Sequence, residues 1–219
     1  MKTHEKIAPD LGRGLLQKQT AECFRQGLYE ELGKVRATDI LAKIQARYSE
    51  LLRKRALYPQ RALRMHLMKN ILPGLALYQI LREEGISQDA ALEVVDRIFE
   101  IRVEAKRKRM LWAGKFELFY HLMRWSTRAM MRINYPSAGW QVEWLEVSPE
   151  RVAFNIHRCF YLEALSSYGA AELTSSFCRG DELVYRDVSR HLRFERTQTL
   201  GRGDQVCDFR FVRTGLKDS

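Results

Sequence analysis

Three of the chain's four cysteines, Cys159, Cys178 and Cys207, fall in its last third beside groups that could make them reactive. Asp181 follows Cys178 by three residues, Asp208 follows Cys207 directly, and His157 and Arg158 precede Cys159. A thiolate or an activated water attacks an electrophilic carbon. A carboxylate accepts hydrogen bonds and shuttles protons, and the planar fork of arginine holds a carboxylate through two oxygens. These residue types together suit a small hydrolytic or metal site. Each also has a plain structural reading: a small core thiol, a helix cap or a packed histidine.

Spacing sharpens some of these alternatives. If the Cys178–Asp181 step is helical or turn-like, both side chains face one way; Asp181 could equally be the cap of a following helix. Cys207 and Asp208 are neighbours on a predicted strand and point to opposite faces. Cys207, Phe209 and Phe211 then share an apolar face, with Cys207 either an inert core thiol or a pocket thiol under helices. Asp208 and Arg210 share the other face and are expected to pair with a neighbouring strand, at Glu195 or Arg196. Cys159 sits at a strand-to-helix junction, where backbone N–H groups favour thiolates and anions. His66 lies on an amphipathic helix, as a packed, surface or catalytic residue. Cys23 reads as structural. Thiols, His66, His157 and carboxylates could converge on a metal, but no CxxC or other spacing specifies one, and the cofactor stays unassigned.

The elements that must position these residues divide in two. Residues 1–135 read as helices: apolar positions recur at helical spacing from Ile40 to Leu52, with Thr38 or Asp39 as cap and Pro59 beyond the end. A second segment, Ala62 to Arg82, carries Pro73–Gly74, where a break or kink is expected, and ends at Gly85. Ser87 is predicted to cap a helix through Ile101, and a further helix to run from Met110 to Ile133, with Asn134-Tyr135-Pro136 stopping it. The aromatics from Trp112 to Trp125 are expected in the core or walling a ligand pocket. From residue 136 the period changes. Trp140–Val147 and Val152–Ile156 alternate around Ser148-Pro149-Glu150, as a hairpin does. Cys159–Tyr168 is helical and ends at Gly169. A short helix covers Glu172–Phe177 and another starts at Asp181. Strands Leu192–Leu200 and Val206–Val212 flank a turn at Gly201–Asp204. The fold class is α+β: a helical N-terminal part packed on a C-terminal four-stranded, mostly antiparallel sheet with short helices. Residues 1–135 and 136–219 form one compact unit in this reading.

The chain has 219 residues, 46% of them hydrophobic, and a net charge of +10. That length holds one large domain or two small ones. The charge admits nucleic acid, anionic lipid or an anionic substrate. The run Lys106-Arg107-Lys108-Arg109 reads as a solvated helix face, and nucleic acid is not an expected partner. No apolar stretch approaches the ~20 residues of a membrane span, so no membrane partner is expected. Met1–Lys6 lacks the apolar core of a signal peptide. The expected compartment is the cytoplasm, with reduced thiols.

Five segments, in order, carry a resemblance: Arg158-Cys159, Gly169-Ala170-Ala171-Glu172-Leu173, Cys178 to Asp181, Phe194 to Leu200, and Cys207-Asp208-Phe209-Arg210. With Met65-His66 and Ile71 to Tyr78, the chain from about residue 60 onward resembles the L-2-amino-thiazoline-4-carboxylic acid hydrolase family. Members named for activity open the thiazoline ring of 2-amino-thiazoline-4-carboxylate to a carbamyl-cysteine. The resemblance implies a hydrolase of C–N bonds in cyclic amidines and a small substrate bearing a carboxylate. It makes Cys178, Asp181, Cys159, Cys207 and His66 the catalytic candidates, and Arg158, Arg196 and Asp208 the substrate-binding ones. A pocket roofed by N-terminal helices is expected, self-association stays open, and the alternative is a non-catalytic ligand-binding or sensor domain of the same fold.

Overall fold

A computed structural model describes residues 14–215. Met1–Lys6, where the absence of a signal peptide is expected, lies outside them. Helices α1 (Lys18–Leu32), α2 (Lys34–Lys54), α3 (Arg61–His66), α4 (Leu72–Glu83), α5 (Gln88–Ala113) and α6 (Phe119–Asn134) precede the hairpin β1 (Trp140–Val147) and β2 (Arg151–Cys159). Helices α7 (Phe160–Ser167) and α8 (Thr174–Tyr185) follow, then β3 (Leu192–Glu195) and β4 (Cys207–Arg213). The four strands lie in the order β1-β2-β4-β3, each pair antiparallel. The α+β class expected from the change of period is the observed one.

Helix α2 begins earlier than expected. Gly33, at φ +74°, turns the chain from α1, and the helix starts at Lys34, so neither Thr38 nor Asp39 is its cap. The Pro73 region is also not a break. Helix α3 runs into a π turn at Leu67–Ile71 and on into α4, whose first turn holds Pro73. Proline has no N–H to give the carbonyl four or five residues back. Those are Lys69 and Met68, and side chains take them: Arg102 donates to the Lys69 carbonyl at 2.6 Å and the Tyr48 hydroxyl to that of Met68 at 3.1 Å. The helix continues because the freed acceptors are satisfied from α5 and α2. Ser87 caps α5 as expected, accepting from the Ala90 N–H. That helix extends to Ala113, so Met110 belongs to it rather than to α6.

In the sheet, Phe154 faces Phe209 across β2 and β4, the rings stacked 5.0 Å apart, and Phe194 faces Phe211 across β3 and β4. Cys207, Phe209 and Phe211 are buried on one face, as alternation predicts. Tyr185 of α8 covers that face, its ring 5.1 Å from Phe211 and 5.5 Å from Phe194. Helix α8 also packs along α5, so it lies between the helical layer and the sheet. It is one continuous helix through Cys178 and Asp181. The expected break is absent, and Asp181, in the helix interior, is not a cap. Strand β3 stops at Glu195 instead of reaching Leu200. The Asp208 carboxylate accepts the Thr197 and Gln198 N–H groups at 2.9 and 2.6 Å, and Asp204 accepts that of Thr199 at 2.7 Å. Donors that a strand would have spent on the ladder go to side chains instead, and residues 196–206 leave the sheet.

Candidate active site

Along α8, Cys178, Asp181, Glu182 and Tyr185 recur at i, i+3, i+4 and i+7, and so share one face. Cys207 comes up from β4 beneath it, and the sulfurs of Cys178 and Cys207 are neighbours that shift each other's ionisation in opposite directions. Contact with Cys207 pulls the Cys178 thiol down; burial opposes this, while the Arg196 guanidinium and the Gly201 N–H assist. Contact with Cys178, and then burial, push Cys207 up. The Leu200 N–H points at its sulfur, 3.2 Å away. Of the two, Cys178 is the more readily ionised. The backbone fits closely here: a Cβ on Gly201 would stand 3.0 Å from Cys178 Sγ.

Asp181 is raised above the usual carboxylate range by burial first, then by Glu182, against Arg196 and Lys106. Yet 39% of its side chain remains accessible. Tyr135, Cys159, Tyr161, Cys178 and Tyr185, all perturbed by burial or by their neighbours, are likewise only half-buried. These side chains lie deep in the fold yet keep part of their surface accessible. Cys159 stands at the head of α7, where the N–H groups of Leu162 and Tyr161 draw its sulfur toward ionisation, but neither closes a capping hydrogen bond. Burial outweighs them and pushes the thiol up to about 11. The helix-start argument for a reactive Cys159 therefore loses to desolvation.

Arg196 sits at the base of this cluster. Its side chain is 1% exposed and donates to the Cys178 carbonyl at 2.7 Å and to Glu182 at 3.2 Å, with Asp181 at 3.5 Å. The guanidinium lies 5.3 Å from the centre of the Phe209 ring. It is thus occupied in holding α8 to the sheet and in supplying counter-charge, rather than presented to a ligand. Arg158 is exposed and forms a two-pronged pair with Glu163. Asp208 serves the backbone at Thr197 and Gln198, and Arg210 donates to Asn155 at 2.7 Å and to the Phe154 carbonyl, not to Glu195. His157 pairs with Glu143 on the surface. The structure brings Cys159, Cys178, Asp181, Cys207 and Arg196 together, and leaves Arg158 and Asp208 outside.

His66 reaches the cluster through Tyr161. The Asn134 carbonyl only accepts, so His66 Nε2 donates to it at 2.9 Å. Nδ1 is then the acceptor for the Tyr161 hydroxyl at 2.8 Å. Asn70 donates to that hydroxyl at 3.0 Å, and Arg102 donates to Asn70 Oδ1 at 2.7 Å. This directed chain crosses from α5 to the end of α6. Burial holds His66 below its ordinary pKa of 6.5 and keeps the ring neutral. Sequence reasoning missed Asn70, Arg102, Tyr135 and Tyr161. The one available signal was Asn70, a lone amide inside the apolar run from Leu67 to Leu77.

Residues 64–211, more than half of the sequence, match the family profile described as L-2-amino-thiazoline-4-carboxylic acid hydrolase. The chain belongs to that family. No curated protein matches it. A solved structure, the Fe(II) unliganded H-NOX protein from K. algicida, is similar over 91% of this chain and 98% of its own, at 11% identity and a TM-score of 0.33. That likeness is too weak to carry an argument.

The segments that resemble the thiazoline-carboxylate hydrolase family divide between two places. Cys159, Cys178, Asp181 and Cys207 gather at the contact of α8 with the sheet. Gly169 and Glu172 border a separate open cleft of about 450 Å³, with Tyr78, Arg47 and Arg82. There Gly169, at φ +68°, ends α7, and Glu172 accepts the Tyr78 hydroxyl at 2.5 Å. None of the cysteines lines that cleft. It is wide open to water and lacks a thiol, whereas the cluster under α8 has thiols beside a carboxyl that burial shifts toward its protonated form.

Proposed function

We propose that this protein hydrolyses the ring of a small cyclic amidine or isothiourea such as 2-amino-thiazoline-4-carboxylate, with Cys178 as nucleophile and Asp181 as proton donor. The observation that carries this reading is the contact of two unequal thiols beneath a carboxyl whose burial favours its protonated form. Cys178 sulfur attacks the carbon between nitrogen and sulfur. Asp181 gives its proton to the departing ring nitrogen, and that C–N bond breaks. Water then adds to the same carbon, giving a proton back to the Asp181 carboxylate, and Cys178 leaves as thiolate, so the net change is one water added and a carbamyl-cysteine formed. A buried thiol neighbour, Cys207, stabilises the departing thiolate. Arg196 keeps α8 in place and neutralises charge at its base.

The test is ring opening of 2-amino-thiazoline-4-carboxylate and related isothioureas by the full chain and by Cys178→Ser and Asp181→Asn. Loss of turnover in both supports the reading. Wild-type rate in Cys178→Ser with loss in Asp181→Asn transfers the attack to water activated by the carboxylate. No turnover by the wild type on the whole panel defeats the hydrolase reading and favours a ligand-binding domain.

A further inference from the structure

Helix α6 leaves an apolar face uncovered. Leu118, Leu122, Trp125, Ala129 and Ile133 recur at i, i+4, i+7, i+11 and i+15, a single stripe along one side of the helix. Yet Leu118 is 67% exposed, Leu122 62%, Trp125 83% and Ile133 69%. Trp112 and Phe116 extend the exposed apolar surface through the turn before α6, their rings 5.1 Å apart. Single exposed apolar residues are ordinary, but a contiguous row of large ones marks an interaction site.

Charge identifies the partner. Arg124, Arg128 and Arg132 follow one another at i+4 along one border of the stripe, and α6 contains no acidic residue. Between Ala105 and Val142 the sequence holds Lys106, Arg107, Lys108, Arg109, Lys115 and those three arginines against the single carboxylate Glu117. A second copy of this chain, docked through the same face, would set cations against cations with almost nothing to neutralise them. A nucleic acid would pair with the arginines but leave the leucines and Trp125 in water. An anionic bilayer satisfies both parts: arginines at the headgroups, and tryptophan and aliphatic side chains just below them.

We propose that α6 and the turn before it form a peripheral membrane-binding surface selective for anionic lipid. The helix lies in the plane of the interface. It does not span the bilayer, consistent with the absence, among the described residues, of any helix long and apolar enough to do so. Arg128, whose guanidinium lies 5.3 Å from the centre of the Trp144 ring of β1, ties the helix to the sheet, and Arg132 is exposed beside it. This inference is independent of the proposed hydrolysis.

The experiment is co-sedimentation of the full chain with vesicles of phosphatidylcholine alone and of phosphatidylcholine mixed with phosphatidylglycerol. Capture is expected only on the mixed vesicles, and it should weaken as added salt screens the arginines. Trp125→Glu and Leu122→Glu, at exposed positions, should each lower the affinity by about tenfold or more. Circular dichroism checks that they fold. Quenching of wild-type tryptophan fluorescence by bromine-labelled phosphatidylglycerol reads insertion without any variant. The proposal is overturned by no capture on mixed vesicles, by capture undiminished in both variants, or by absence of quenching. A dimer seen by sedimentation velocity and dissolved by Trp125→Glu would also overturn it, assigning the face to a second copy.

Discussion

Two touching thiols share their protons unequally when their surroundings differ, and around Cys178 and Cys207 they do. Cys178 has the Arg196 cation and the Gly201 N–H, whereas Cys207 is pressed into the sheet face. Iodoacetamide should therefore label Cys178 at a lower pH than an ordinary thiol, and leave Cys159, held near 11 by burial, unlabelled at neutral pH. Cys207→Ala removes the partner that contributes most to the shift, so the labelling midpoint of Cys178 should move upward; an unchanged midpoint would show that the pair is not coupled. Asp181→Asn should lower turnover by about a hundredfold or more, the scale of a lost general acid. Its effect on stability has the opposite sign. A carboxyl raised in the folded state favours folding where it is protonated and loses that contribution as pH rises through its folded pKa. At neutral pH the amide should melt at the same temperature or higher, and a large drop in melting temperature would make Asp181 a structural residue.

At the scale of elements, the π turn and its proline depend on borrowed donors. Tyr48→Phe keeps the ring but strands the buried Met68 carbonyl, and should cost about 1 kcal/mol by urea titration. The end of α5 is fixed by close approach rather than by unusual backbone. Gly114 has an ordinary helical φ of −65°, but a Cβ there would stand 1.9 Å from the Val188 carbonyl oxygen. Gly114→Ala must push the segment after α8 away from α5, and a loss of about 3 kcal/mol is expected. Denaturation at wild-type midpoints would contradict that packing.

Over the whole molecule, His66 joins parts far apart in sequence: α3, the end of α6 through Asn134, and α7 through Tyr161. Burial depresses its pKa on folding, so the unfolded chain binds its proton more readily. The stability it supports is complete above about pH 6.5 and is lost as pH falls from there through the folded value. His66→Gln keeps a donor for Asn134 and an acceptor for Tyr161 without titrating. It should flatten the decline in melting temperature in that window, and an unaltered slope would place the pH dependence elsewhere.

Periodicity and punctuation fix what depends on neighbours along the chain. Ser87 and Gly85 mark helix ends, Ser148-Pro149-Glu150 a hairpin, and Cys207, Phe209 and Phe211 one sheet face, because capping, turns and alternation are local. The family follows from short segments in order. Local rules misread α8, where Asp181 resembles a cap, and β3, where Asp208 and Asp204 divert the backbone. They also placed the aromatics from Trp112 to Trp125 inside, since an apolar stripe carries no record of whether anything covers it; in the structure Trp112 and Trp125 face water. Only the tertiary structure brings Cys178 onto Cys207 and sets Tyr161 against His66. It alone separates Arg158 and Asp208 from that cluster. Contacts across the fold and the desolvation they impose come from packing, and no spacing along the chain encodes them.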